Sequence, residues 1–338
     1  MTVTLLAWRS APGRHRPHPL HDDPDNDWID ANCYTDLWIE LLHGIGADPY
    51  PMLAHTVRLD FEGDQWTFFK PPPQDLEALY GIDLFELTTY ESLPEHCVTQ
   101  LRHNRVPVVE VDAFHLPDVP GTFGRSHRKT TIAVVAVDPA AGRLTYLHNS
   151  GCHTAGPTET AGLLRTGPHA PDPRILPPYV ESVRLDRLRH TTDADLRGRS
   201  RALLHRHVTL RPADNPVRRF AATFPAAVTA RIGRPEAFEG YAFSTLRQLG
   251  AGTALAARYL RWLAADGEPA LRQAAEQCDR ISAEAKRLTL KAARTVAADR
   301  PLHADEALDA MAQAWDAAEG HLRAALPAPP GGAAAAHR

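Results

Sequence analysis

The stretch Thr130 to Val137 (Thr-Thr-Ile-Ala-Val-Val-Ala-Val) constrains this chain most, because a run so rich in β-formers reads as a buried strand. Asp138-Pro139-Ala140-Ala141-Gly142 supplies turn residues, and Arg143 to His148 reads as the return strand of a hairpin. No strand signal of similar strength follows residue 150. From about 195 the period becomes helical. Ala274, Cys278, Ile281, Ala285, Leu288 and Ala292 alternate spacings of four and three, and Leu308, Met311, Trp315, Ala318 and Leu322 do the same. Such stripes predict a helical hairpin or bundle, with the Met and Trp in its core. The expected fold class is therefore α+β, an antiparallel sheet with helices over 1–185, followed by an all-helical region over 186–326. The Pro-, Gly- and Ala-rich tail, 327–338, reads as disordered.

The first half carries further punctuation. Residues 10 to 27, rich in Pro, His and Asp, read as a loop, and Pro51 to Val57 as helical. Trp66 to Phe69 reads as a short strand ended by Pro71-Pro72-Pro73. Gln74 to Tyr80 reads as a helix stopped by Gly81, then a strand follows at Asp83 to Thr88. Leu93 to Asn104 reads as a helix and Pro107 to Val111 as a buried strand.

The bulk numbers exclude several classes. A hydrophobic share of 43% with 23% charged residues suits a soluble globular chain, and a net charge of −4 makes no case for nucleic-acid binding. No apolar run is as long as a membrane span. Met1 to Trp8 lacks the basic flank and cleavage site of a secretory signal. Four scattered cysteines (33, 97, 152, 278) make no disulfide framework, so the expected location is a reducing cytoplasm.

Cys33 stands out for chemistry. In Asp30-Ala31-Asn32-Cys33-Tyr34-Thr35-Asp36-Leu37-Trp38 it follows a capping cluster and opens an amphipathic helix with Leu37, Trp38, Leu41, Leu42 and Ile45 on its apolar stripe, closed by Gly44. Either Asp30 or Asn32 can cap it. The field at a helix N-terminus favours thiolate, the nucleophilic form, so the placement predicts a lowered thiol pKa. The plain alternative is a small apolar residue filling the first turn.

A cysteine nucleophile needs a base and a group to orient that base. His127 immediately precedes the strong strand, and Asn149 ends its partner. A hairpin in register about its turn would bring them together, in the order Cys33, His127, Asn149 that papain-like folds use. Taken alone, His127 reads sooner as an exposed loop residue and Asn149 sooner as a turn residue before Ser150-Gly151; the order of the three residues is what raises them. His148 competes for the base role, pointing to the opposite face from Asn149.

Asn32 to Trp38, Asp60-Phe61-Glu62-Gly63-Asp64-Gln65-Trp66-Thr67-Phe68-Phe69-Lys70-Pro71-Pro72, Val109 to Pro117, His127 to Thr131 and Leu147-His148-Asn149 together resemble the bacterial family called domain of unknown function 1839, over roughly residues 25 to 330. More distantly, residues 30 to 155 resemble the N-terminal domain of butirosin-type acyltransferases, in the papain-like world of the C39 peptidases. The resemblance implies transfer of an aminoacyl group from a carrier-protein thioester to an amine, with Cys33, His127 and Asn149 as the triad and Asp112 as a structural or site residue. The oxyanion Gln of papain-like enzymes, about six residues before the Cys, is replaced here by Asp27. Asn26, Asn32 or Gln65 would then assist the Cys33 backbone N–H. Asp64 and Lys70, with Glu62 and Gln65, crowd an aromatic segment that would bind the acceptor amine or order the helix.

Other signals carry less. His15, His18 and His21 lie among prolines rather than on a rigid frame for zinc, and His148, Cys152 and His153 make a second weak metal cluster. Ten arginines against four acids between 184 and 219 would steer an acidic partner such as an acyl carrier protein, or simply form a solvated surface. The sequence thus predicts a thiol-dependent acyltransferase that binds no cofactor of its own and takes its acyl group from a partner's phosphopantetheine arm. Two alternatives stand beside it: a cysteine hydrolase with the same triad, and a non-catalytic scaffold that keeps the fold. The helical half would be a lid, a docking surface or a homodimer interface.

Overall fold

In the computed structural model, which describes residues 1–10, 14–23, 28, 30–170, 177–189, 191–265 and 267–326, the chain divides into two units. The first joins Met1–Met52 to Lys70–Leu196, and the second joins Leu53–Phe69 to the chain from Arg197 onward. The tail 327–338 lies outside the described residues.

The first unit contains, in chain order, β1 (Val3–Thr4), α1 (Cys33–Ile45), α2 (Pro73–Tyr80), β2 (Asp83–Glu86), α3 (Leu93–Arg102), β3 (Arg105–Asp112), β4 (Lys129–Asp138), β5 (Arg143–His148), β6 (Gly151–Ala155), α4 (Pro157–Leu163) and β7 (Val180–Arg184). The strands form one antiparallel sheet of seven, ordered β2-β7-β3-β4-β5-β6, with β1 pairing to β4. The β4–β5 hairpin forms where the β-former run predicts it, with a register shift between Val134 and Ala136. Two strands lie beyond residue 150, where the sequence signal fades. β6 is polar (Gly-Cys-His-Thr-Ala), and β7 inserts between β2 and β3 although only five residues long.

Alternation along β7 shows how the helices cover the sheet. Glu181 accepts a hydrogen bond from Tyr34 of α1, and its neighbour Ser182 bonds Gln100 of α3. Adjacent strand residues face opposite ways, so α1 and α3 lie on opposite faces. Helix α1 is buried on nearly every side, with Leu37, Trp38, Leu41, Leu42 and even Glu40 out of solvent. Asn32 is its N-cap, accepting from Thr35 N–H at 3.1 Å, and Asp36 returns a bond to Asn32 N–H at 3.2 Å. Gly46, at φ 79°, closes the helix in a left-handed conformation that glycine adopts without strain.

The second unit is helical: α5 (Asp193–Thr209, which begins in the first unit), α6 (Pro216–Thr229), α7 (Pro235–Ala242), α8 (Gln248–Ala264), α9 (Pro269–Ala298) and α10 (Asp305–Ala325). A π-helical turn, Phe243–Arg247, joins α7 to α8. Both predicted stripes, on α9 and α10, are buried. The segment Leu53–Phe69 belongs to this helical unit. Trp66 is not in a strand: it makes an isolated bridge to Phe61, and its N–H bonds Ser244. Its ring packs 6.1 Å from Trp315, and Phe61 lies 5.4 Å from Phe220. The aromatics that suggested a strand are there to fill a helical core.

Candidate active site

Cys33 is the first residue of α1 and is partly exposed. Thr130 and Thr131 of β4 stand near enough to its thiol to act on its titration. The expected lowering of its pKa is not what the site produces. Burial, the largest effect, pushes the thiol up, and the Asp36 carboxylate adds to the rise. Thr130, Thr131 and the charge of Lys129 oppose it without overcoming it. That direction favours the protonated thiol.

From Thr130 hydrogen bonds run inward. Its Oγ1 lies 2.8 Å from His148 Nε2, and His148 Nδ1 lies 2.6 Å from Asp118 Oδ2. Tyr146 donates to the other oxygen, Asp118 Oδ1, at 2.5 Å. Tyr146 and His148 are two apart on β5, so strand alternation presents both to one carboxylate. The imidazole is buried, at 2% exposure, and so shielded from bulk water. Burial would raise the Asp118 carboxyl, but the bonds from His148 and Tyr146 and the charges of His148 and His153 hold it below its ordinary value. In the neutral form of the ring, with Nδ1–H donated to Asp118, Nε2 is left as the acceptor towards Thr130. The result is a hydroxyl–imidazole–carboxylate chain, Thr130, His148 and Asp118, whose outer member neighbours Cys33.

The other expected site residues that the structure describes have local roles or places of their own. His127 is exposed, bonds Asp112 at 2.5 Å and stacks on Phe114. The pairing of Ala133 with Leu147 carries the register of Asn149 to Thr131 rather than to His127. Asn149, at φ 48°, opens the two-residue turn between β5 and β6, a conformation asparagine tolerates. Asp112 caps the turn after β3 by accepting from Phe114 N–H and Arg128 N–H, and it anchors His127. Burial acts to raise its carboxyl, yet these bonds hold it low. Asn32 is occupied as the helix cap, and Asp30 holds the β5–β6 turn by accepting from Ser150. Lys70 sits 4.1 Å above the Tyr34 ring. Asp64 and Gln65 belong to the second unit, where with Thr223, Arg231, Tyr241 and Ser244 they line a hollow of about 390 Å³. Asn26 and Asp27 lie outside the described residues.

Thr130 and Asp118 escaped the sequence reading, and His148 entered it only as a competitor. Asp118 stands between prolines in Leu116-Pro117-Asp118-Val119-Pro120, with no periodicity to mark it. The one available signal was Tyr146-x-His148, two polar-tipped rings on one strand face.

The arginine-rich stretch is largely spent internally. Arg187 pairs with Asp83, Arg201 with Glu268, Arg218 with Asp316 and Arg219 with Asp60. Arg197 and Arg211 donate to backbone carbonyls of Trp262 and Val57. The histidines at 15, 18 and 21 gather on Glu40. His15 Nε2 and His21 Nδ1 each lie 2.5 Å from its oxygens, and His18 N–H donates at 3.0 Å. Among the described residues, no group of three or more His, Cys, Asp or Glu side chains is arranged to hold a metal ion.

Fold and site together define a two-unit chain: an α+β unit that carries Cys33 and a Thr130–His148–Asp118 hydrogen-bond chain, and a helical unit. Residues 16–185 match the DUF1839 N-terminal domain and residues 193–324 the DUF1839 C-terminal domain, so the chain belongs to the DUF1839 family. No curated protein matches it.

Proposed function

We propose that this protein is a thiol-dependent acyltransferase with Cys33 as nucleophile and the His148–Asp118 pair as its acid–base group, in a papain-like arrangement of helix-borne cysteine and strand-borne histidine. One observation carries the reading: Thr130, which acts on the Cys33 thiol, bonds an imidazole whose tautomer a buried carboxylate fixes. The sulfur attacks the carbonyl carbon of a thioester, such as one on the phosphopantetheine arm of a carrier protein, and the thiol proton passes to His148. The tetrahedral intermediate expels the donor thiolate, which takes that proton. An amine then attacks the acyl-enzyme, gives a proton to His148, and leaves as an amide while the Cys33 thiol re-forms. The first-turn N–H of Cys33, without an intrahelical partner, suits the oxyanion. With water as acceptor the same acyl-enzyme gives a hydrolase. The raised thiol pKa favours a third reading, a scaffold in which Cys33 is packing.

Incubation with aminoacyl and acyl thioesters, on carrier protein and on N-acetylcysteamine, followed by peptide mass spectrometry tests this. An acyl mass on the Cys33 peptide, absent in Cys33→Ala and discharged faster by amines than by water, supports the transferase. Discharge by water alone selects the hydrolase. The absence of an adduct with every donor sinks both.

A further inference from the structure

The helical unit carries a polar hollow that the Cys33 chemistry leaves unused. It holds about 390 Å³, near the small end of ligand pockets (about 300–1,000 Å³). Three pieces of that unit wall it: the turn 62–65, the end of α6 through Arg231, and the end of α7 with the π-helical turn. Backbone bonds join them. Glu62 N–H donates to the Gln65 carbonyl at 2.8 Å and closes the turn, and the next residue, Trp66, donates its N–H to the Ser244 carbonyl at 3.0 Å. Ser244 belongs to the π-helical turn, a rare distortion that occurs frequently at functional sites.

Two opposite charges line the hollow without meeting. Arg231 lays its guanidinium carbon 4.3 Å from the centre of the Tyr241 ring and donates Nη1–H to the Ala227 carbonyl at 2.6 Å. These contacts fix the plane of the fork and leave its other N–H groups for an anion. Asp64, at the tip of the turn, makes no ion pair or side-chain hydrogen bond among the described residues. The Tyr241 hydroxyl has no hydrogen-bond partner among them either, and burial pushes it up to about 12, so it stays a donor at neutral pH. A single small molecule with a carboxylate and an ammonium satisfies all three groups. We propose that the hollow binds a free α-amino acid, its carboxylate received by Arg231 and the Tyr241 hydroxyl and its ammonium by Asp64. Charge-assisted bonds of this kind are the stronger ones. The rim is open: at Gly63 and Gly240 nothing lies within 4 Å of where a Cβ would stand. The ligand's side chain therefore has room, and the site reads the two charged groups rather than that side chain. The inference does not rest on Cys33 as a nucleophile, since every residue it uses belongs to the helical unit.

Ligand-observed NMR on the full-length protein with the twenty common amino acids, followed by calorimetric titration to about 10 mM, tests this. Several amino acids are expected to bind. Their N-acetyl forms lack the ammonium and their carboxamides lack the carboxylate. Both are expected to bind at least about tenfold more weakly, the usual worth of a hydrogen bond to a charged group. Asp64→Asn and Arg231→Gln should each weaken binding of the parent amino acid by about ten- to a hundredfold. No binding by any of the twenty overturns the proposal. So do an N-acetyl form and a carboxamide bound as tightly as the parent. Binding left unchanged by both variants places the amino acid elsewhere, an acceptor site near Cys33 included, and also overturns it. If Arg231→Gln does not fold, Asp64→Asn on its exposed turn and the two derivatives on wild type decide.

Discussion

Glu40 shows how a single carboxylate organises this unit. It is fully buried on α1, where desolvation acts to raise its pKa, yet the bonds from His15 and His21 hold it at about 2. For His21, burial acts to lower the pKa, but Asp36 and Glu40 together raise it to about 9. A histidine raised from 6.5 stabilises the fold fully below pH 6.5 and loses that contribution as pH climbs through 9. His18 works in the opposite sense. Burial and neighbouring His43 lower it to about 4, so its contribution is complete above 6.5 and is lost as pH falls through 4. The urea midpoint of wild type should therefore fall between pH 7 and 10, and His21→Gln should be less stable at pH 6 with that alkaline decline flattened. An equal decline in both proteins would show that His21 does not carry it. At this scale the sequence was half legible. Cys33 was visible because caps and apolar spacing are local signals. Its partners were not, because Thr130, His148 and Asp118 meet only through strand register and a proline-bounded loop.

Helix α1 is the element on which the site depends, since Cys33 is its first residue. Its start rests on the reciprocal bonds between Asn32 and the Thr35–Asp36 turn. Asn32→Ala should destabilise the protein by about 1 kcal/mol in urea unfolding, the usual cost of a lost cap. An unchanged midpoint would mean that packing alone fixes the first turn. Elements with dense local signals were legible: α1, though its stop is Gly46 rather than Gly44, α2 with its Gly81 stop, and the β4–β5 hairpin lie where the sequence places them. β7 was hidden because a five-residue strand reads only through its neighbours, and both of them, β2 and β3, precede it by some seventy residues or more. Trp66 misled for a related reason, since an aromatic-rich run reads alike for a strand and for a buried plug.

At the scale of the whole molecule, the described residues include no helix long and apolar enough to cross a membrane. The change from sheet to helices was legible from the two stripes, but the chain does not divide at one point. Leu53–Phe69 belongs with the helices although the sheet unit encloses it in sequence. A fragment of residues 197–326 alone would lack Phe61 and Trp66, which pack on Phe220 and Trp315. It is expected to bind hydrophobic dyes and melt without a cooperative transition, whereas the full chain melts cooperatively. A sharp, dye-silent melt of the fragment would show that the plug is dispensable. The plug also sets an order of events at the ribosome. Trp66 emerges long before Trp315 is made, and at roughly 5–20 residues per second the gap is on the order of tens of seconds. For that interval the indole of Trp66 lacks one of its core partners, so the nascent chain is a natural client for a holding chaperone.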